Sequence, residues 1–309
     1  MACFAGRLQC KPLTVLYGLP EVPRLANGVP MIIHQTWKTE DVPSHWATSS
    51  EAWKALHPDW IYLLWTDADI EAYIEALWPD AVPIFERLEE PIQRVDLWRY
   101  FVLRDFGGIY CDLDIRPKDC IGPVLEASPG HVFLVPSANN AGQFTNALMA
   151  SGTSMQAQVF WTEMIDYVAA WPNRPFDHIA GSIRHVRIVA STGPLALSRV
   201  AENTQMPITV LPKVVWNPYE LTVAGHLDEQ KSPHAIVEIL KGSSWHDAES
   251  TVFVFLHMYR LQLLALLGLL VVFTFIQNAY LRDYAKYLVR RLRNYRRPDT
   301  STASVASSV

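Results

Sequence analysis

Asp112 and Asp114 close the run Gly107-Gly108-Ile109-Tyr110-Cys111-Asp112-Leu113-Asp114-Ile115. A Gly-Gly turn ends the apolar helical stretch before it, and a short strand follows. Residues i and i+2 of a strand share a face, so both carboxylates are expected to aim at one point. Hard divalent ions such as Mn²⁺ and Mg²⁺ take oxygen ligands of this type, and need few protein carboxylates when substrate phosphates complete the shell. The pair therefore reads as a seat for a metal-bound diphosphate. A lone D-x-D is also what an ordinary solvated strand end looks like. Upstream, Arg94, Asp96 and Arg99 fall on one predicted helix. Their offsets do not form a single stripe, but Arg99 lies three residues after Asp96, within reach of a surface ion pair. Carboxylates accept from sugar hydroxyls, and the arginine fork matches phosphate oxygens.

The elements that must position these groups alternate. Val29–Trp37 reads as a buried strand, Ser49–His57 as a helix, and Trp60–Trp65 as a second strand. Thr66 or Asp67 caps a helix over Asp69–Trp78, and Val95–Phe106 is a further helix. Such alternation predicts an α/β domain with a mainly parallel sheet. Ligands on these sheets sit at the carboxyl ends of strands. Trp37, Thr66-Asp67 and Asp112/Asp114 all fall at such ends. His34 reads as a satisfied core histidine. Further on, Val132–Val135 and Ile208–Pro212 read as strands, with helices over Gln158–Trp171 and from about Leu195.

Composition narrows the function class. The chain has 309 residues, 50% hydrophobic and 18% charged, with a net charge of -5. That balance gives no sign of a nucleic-acid partner. There is no C-x-x-C pair, His-rich tract or Walker-type loop. Cys111 and Cys120 leave two readings open, a bridge across the loop after the D-x-D or two reduced, partly buried thiols. Residues 1–28 read as an irregular leader without a secretory signal. Residues 251–277 are apolar enough for a transmembrane helix if Arg260 snorkels, with a buried or interfacial amphipathic helix as the other reading. Arg282, Lys286, Arg290, Arg291, Arg293, Arg296 and Arg297 follow, and a Ser/Thr-rich tail expected to be disordered completes 278–309. A basic flank belongs on the cytoplasmic side, which places residues 29–250 in a lumen. The missing signal argues the other way.

The compound pattern R-x-D-x-x-R-Y (Arg94–Tyr100), a spacer, then G-G-I-Y-x-D-x-D resembles the D-x-D-containing fungal mannosyltransferase family. That family also includes distant bacterial toxin glucosyltransferases. Within it, the pattern is most like the catalytic subunits that mannosylate inositol phosphorylceramide, over roughly residues 29–250. The resemblance implies a single Rossmann-like nucleotide-sugar transferase domain of the GT-A type over that range. It implies Mn²⁺ or Mg²⁺ on Asp112 and Asp114. Asp96 would contact donor-sugar hydroxyls, and Arg94 or Arg99 would hold the sugar or its leaving group. Trp37 would stack on the donor's nucleobase; core packing is the bland reading. In the run Gly242–His246, Ser243 or Ser244 would donate to phosphate and Trp245 would reach the leaving oxygen. His246 would ligate metal. Asn146 matches an acceptor-side asparagine, although the His-Pro pair that follows it in the family is missing at Thr153-Ser154-Met155-Gln156. The implied donor is GDP-mannose and the implied acceptor a lipid. The implied setting is the lumen of the Golgi or endoplasmic reticulum, with a regulatory membrane subunit as a possible partner. Two other readings stand beside this one: a hexosyltransferase using another nucleotide sugar on a glycan or protein, and a non-catalytic membrane adaptor on a transferase fold.

Overall fold

The structure is a computed structural model. It describes residues 10–138, 142–172, 177–178, 181–217, 219–221, 227–229, 234–240 and 259–295. Two compact units, Met1–Phe253 and Val254–Val309, are taken separately.

In the first unit, helix α1 (Lys11–Gly18) precedes β1 (Ile32–Thr36), α2 (Ser44–Leu56), β2 (Ile61–Trp65) and α3 (Asp67–Leu77). Then come α4 (Val82–Arg87), α5 (Pro91–Asp105), β3 (Gly108–Cys111), β4 (Ile115–Pro117), α6 (Gly122–Glu126), β5 (Val132–Pro136) and β6 (Phe144–Ser151). Next are α7 (Met155–Ala169), α8 (Arg184–Ser191), α9 (Pro194–Asn203), β7 (Thr209–Val210), α10 (Lys213–Trp216), β8 (Tyr219–Leu221), β9 (Leu227–Glu229) and β10 (Val237–Ile239).

Six strands form one sheet in the order β2-β1-β3-β6-β5-β7. Pairing is parallel except where β6 meets β3 and β5, so β6 runs against the other five. The mainly parallel α/β sheet expected from the alternation is present. Strand β6 was not anticipated, because its residues read as a motif rather than as an element.

Alternation along the strands feeds two cores. Ile32, Tyr110, Leu134 and Met149 face one, with Trp65, Trp98, Phe101 and Trp161. Ile33, Ile109, Phe133 and Leu148 face the other, with Trp53, Trp60, Leu125 and Trp216. The expected irregular leader is a correction: α1 buries Leu13 and Leu16 in the first core, and the Lys11 amide donates to Asp69 Oδ1 at 3.0 Å. An eight-residue helix is too short to announce itself by periodicity.

Local signals explain the helix starts. Thr66 and Asp69 form a reciprocal capping box, the Asp69 amide donating to Thr66 Oγ1 at 3.1 Å and the Thr66 amide to Asp69 Oδ2 at 3.0 Å. Pro91 opens α5 and Glu90 and Gln93 box it, so this helix begins four residues before the expected Val95. The Gly107-Gly108 turn is required sterically. Both residues have positive φ, and a Cβ on Gly108 would lie 2.6 Å from the Ile32 carbonyl oxygen. Only glycine lets β3 come in beside β1 here.

His34 is the satisfied core histidine expected. Its Nδ1 accepts from Trp65 Nε1 at 3.2 Å, so Nε2–H donates to the Gly107 carbonyl at 3.0 Å. Cys111 and Cys120 are both free thiols.

The second unit contains α11 (Arg260–Tyr295). Its stretch Gln262–Val289, 28 residues long, is long and apolar enough to cross a membrane by length and composition. Apolar side chains such as Leu264, Leu269 and Phe275 are exposed. The expected span of 251–277 starts in residues outside those described, and the helix continues beyond it through Arg282 and Lys286.

Burial lowers the pKa of His34 to about 4, and the Gly107 carbonyl offsets this only in part. A folded-state value below that of the unfolded chain contributes stability above pH ~6.5 that is lost as pH falls through ~4. We predict that His34 accounts for roughly 3 kcal/mol of acid destabilisation, so the urea-unfolding free energy of His34→Gln should fall less steeply between these limits. Identical pH slopes for wild type and variant would contradict this.

Candidate active site

The carboxyl ends of β1, β2 and β3 open on one cavity of about 290 Å³. Thr36 ends β1 and Trp37 and Lys38 follow it, Asp67 follows β2, and Asp112, Leu113 and Asp114 follow β3; all of them line it. Trp46 of α2, Pro91, Ile92, Val95 and Arg99 at α5, and Arg184 of α8 complete the wall with Tyr110. The in-register pairs Thr36 with Trp65 and His34 with Tyr110 bring the three ends level. Trp37 is half-buried and meets Trp46 edge-on, with ring centroids 5.1 Å apart.

The D-x-D differs from expectation in its local form. Strand β3 stops at Cys111, and Asp112-Leu113-Asp114 is a turn closed by the Ile115 amide on the Asp112 carbonyl at 3.0 Å. The two carboxylates therefore share a cavity through a turn and not through strand alternation. Alternation instead pairs Tyr110 with Asp112. The turn is pinned on both sides. The Asp112 amide donates to the Ala147 carbonyl of β6 at 2.8 Å, and Gln35 Nε2 to the Asp112 carbonyl at 3.2 Å. Ser49 Oγ and Trp53 Nε1 donate to the Ile115 carbonyl at 2.6 and 2.9 Å. The Leu240 amide donates to the Asp114 carbonyl at 2.6 Å.

Beneath the turn lies Arg99, 2% exposed. Its Nη2 is 3.0 Å from Asp96 Oδ1, and its Nη1 donates to the Asn146 carbonyl at 2.7 Å and stands 3.5 Å from Asp112 Oδ1. The guanidinium also lies 4.4 Å from the centre of the Tyr110 ring. Burial opposes its charge, but Tyr110, Asp112 and Asp96 outweigh burial and hold its pKa above the ordinary value. Asp96 is buried with both oxygens engaged: Oδ1 accepts from Asn146 Nδ2 and Oδ2 from Thr192 Oγ1, each at 3.0 Å. Burial raises its pKa to about 6 against the pull of Arg99.

Not every expected residue arrives. Asp96 and Asn146 sit behind the cavity wall as the support of Arg99 and are not among its lining. Arg94 points away; its Nε and Nη2 donate to the Leu88 carbonyl at 3.3 and 3.2 Å, and it lines a second cavity between α3, α4 and α5. Ser243, Ser244, Trp245 and His246 lie outside the described residues. Tyr110, Thr192, Lys38 and Arg184 were missed. Strand alternation was the available signal for Tyr110; nothing local marks the others.

The chemistry of the turn suits a hard divalent cation. The Asp114 carboxyl is pushed up to about 7, by burial first and then by the charge of Asp112. Two acidic groups held this close without full compensation favour a bound cation. No group of three His, Cys, Asp or Glu ligands occurs among the described residues. A site of two carboxylates thus leaves several coordination positions to other oxygens, as Mg²⁺ and Mn²⁺ sites on phosphates do.

Residues 43–130 match the family described as the glycosyltransferase sugar-binding region containing the DXD motif. In these residues the chain is similar to the D-x-D-containing glycosyltransferases. The matched region contains α5 and the whole Asp112–Asp114 turn. The Schizosaccharomyces pombe inositol phosphoceramide mannosyltransferase 3 is 32% identical over 80% of this chain and 64% of its own length. The Saccharomyces cerevisiae mannosyl phosphorylinositol ceramide synthase SUR1 is 30% identical over 74% of this chain and 54% of its own. The chain thus spans between about half and two thirds of these relatives. Among solved structures, PaToxG glycosyltransferase aligns with a TM-score of 0.41 at 14% identity, over 64% of this chain and 77% of that one.

Burial separates the two arginines. Arg99→Met should cost about 3–5 kcal/mol, because Asp96 is left buried and unpaired. Arg94→Met, at an exposed side chain, should cost less than about 1 kcal/mol. Equal losses in urea denaturation would contradict the network described.

Proposed function

We propose that this chain is a metal-dependent, retaining mannosyltransferase that moves mannose from GDP-mannose to inositol phosphorylceramide. The observation that carries the reading is the convergence of Trp37, Arg99, Asp112 and Asp114 on one cavity at the strand ends. The relatives named above are inositol phosphoceramide mannosyltransferases and a mannosyl phosphorylinositol ceramide synthase, which supports the choice of sugar and acceptor.

In this reading Asp112 and Asp114 hold Mn²⁺, or Mg²⁺, against the donor diphosphate. When bound, the ion acts as a Lewis acid that neutralises the departing phosphate. Trp37 offers its face to the guanine base. Lys38 and Arg184, at the cavity wall, supply positive charge toward phosphate oxygens. Arg99 fixes Asp112, and Asp96 fixes Arg99. Ser243 or Ser244 would donate to phosphate, Trp245 to the leaving oxygen, and His246 would ligate the metal. The acceptor hydroxyl attacks from the face the diphosphate leaves, and passes its proton to the leaving phosphate oxygen, so that configuration is retained.

A lipid acceptor accords with a chain that carries an apolar helix of membrane-spanning length. We place the enzyme in the Golgi or endoplasmic reticulum as a single-pass protein with residues 29–250 in the lumen. The basic residues after Ile276 then lie on the cytoplasmic side.

Asp112→Asn and Asp114→Asn should each lower mannose transfer at least about a thousandfold while the protein stays folded. The assay is mass spectrometry of inositol phosphorylceramide incubated with GDP-mannose and Mn²⁺. Wild-type turnover in either variant would remove the metal from the mechanism. Protease applied to sealed microsomes should spare residues 29–250 until detergent is added; their digestion without detergent would reverse the orientation.

A further inference from the structure

Asp112 does not offer both of its oxygens to the cavity. Oδ1 accepts the Tyr110 hydroxyl at 2.5 Å and faces Arg99 Nη1 at 3.5 Å. Oδ2 has no hydrogen-bond donor among the described residues. The carboxylate is therefore held in one rotamer, with one oxygen turned into the protein. We propose that Tyr110 is a positioning residue for the D-x-D: its hydroxyl fixes Asp112 so that a single oxygen, Oδ2, is presented to the divalent cation. This rests on the metal-diphosphate reading of the cavity.

The ring and the hydroxyl of Tyr110 have separable tasks. The ring packs in the first core and lies over the Arg99 guanidinium at 4.4 Å. The hydroxyl has Asp112 as its acceptor. Without it, Asp112 is free to rotate toward Arg99 and form a closer ion pair that competes with the cation. Outer-shell partners of ligating carboxylates are worth about 10–100-fold in metal affinity.

The test compares Tyr110→Phe with Tyr73→Phe in the full chain in detergent. Both remove a buried phenol from a carboxylate, Tyr73 Oη donating to Asp105 Oδ2 at 2.7 Å, but Tyr73 is not part of the cavity. Phenylalanine keeps the ring packing at both sites, and melting temperatures check folding. The reading is the Mn²⁺ concentration that gives half-maximal retention of GDP in equilibrium dialysis. We expect it to rise about tenfold or more in Tyr110→Phe and to stay unchanged in Tyr73→Phe. An unchanged or lower value in Tyr110→Phe, beside normal Mn²⁺-dependent retention by wild type, overturns the role of Tyr110 alone. Failure of the wild type to retain GDP in Mn²⁺ overturns the metal reading and this inference with it.

Discussion

Arg99 is the interaction on which the site depends. A guanidinium this deeply buried is tolerable only with its charge answered, and the fold supplies partners to Nη1 and Nη2 from three separate elements, while Nε has none among the described residues. Asp96 comes from the same helix, one turn away. The Asn146 carbonyl comes from β6, and Asp112 from the end of β3. Asn146 and Thr192 in turn close the oxygens of Asp96. Moving any one of these elements would leave a charge unpaired in the core, so the network locks β3, β6 and α5 into one arrangement. The D-x-D turn inherits that rigidity.

The same network sets the charge of the cavity. Asp96, Asp112 and Asp114 face one guanidinium, so two negative charges stay uncompensated when all three carboxylates are ionised. Burial, and after it the charge of Asp112, raises the pKa values of Asp96 and Asp114 to about 6 and about 7. A divalent cation is the natural counter-charge. Lys38 and Arg184 line the same cavity, with Arg184 also paired to Glu90 at 3.1 Å.

Much of this was legible in the sequence because it rests on local rules. The strand ends followed from hydrophobic runs and the polar residues that stop them, and those ends converge in space because parallel strands share a direction. The Asp96–Arg99 pair was legible from its spacing, but its burial was not; the same i,i+3 offset serves an exposed pair equally well. What failed to show was non-local. Asn146 and Thr192 lie 50 and 96 residues from Asp96, and no periodicity reports such a contact. Strand β6 was hidden by its own motif-like content, and helix α1 by its brevity. The D-x-D was placed in the right neighbourhood for the wrong local reason, since a turn and a strand end look alike over three residues. Tyr110 was within reach of the alternation rule and was overlooked in favour of the second aspartate.

The most direct measurement is anomalous diffraction at the manganese edge from crystals of the protein grown with Mn²⁺ and GDP. The account predicts one anomalous peak bridging Asp112 Oδ2 and Asp114 to the diphosphate, with Asp112 Oδ1 still on Tyr110 and Arg99 still joined to Asp96. A metal bound elsewhere, or a diphosphate seated away from the Asp112–Asp114 turn, would contradict it.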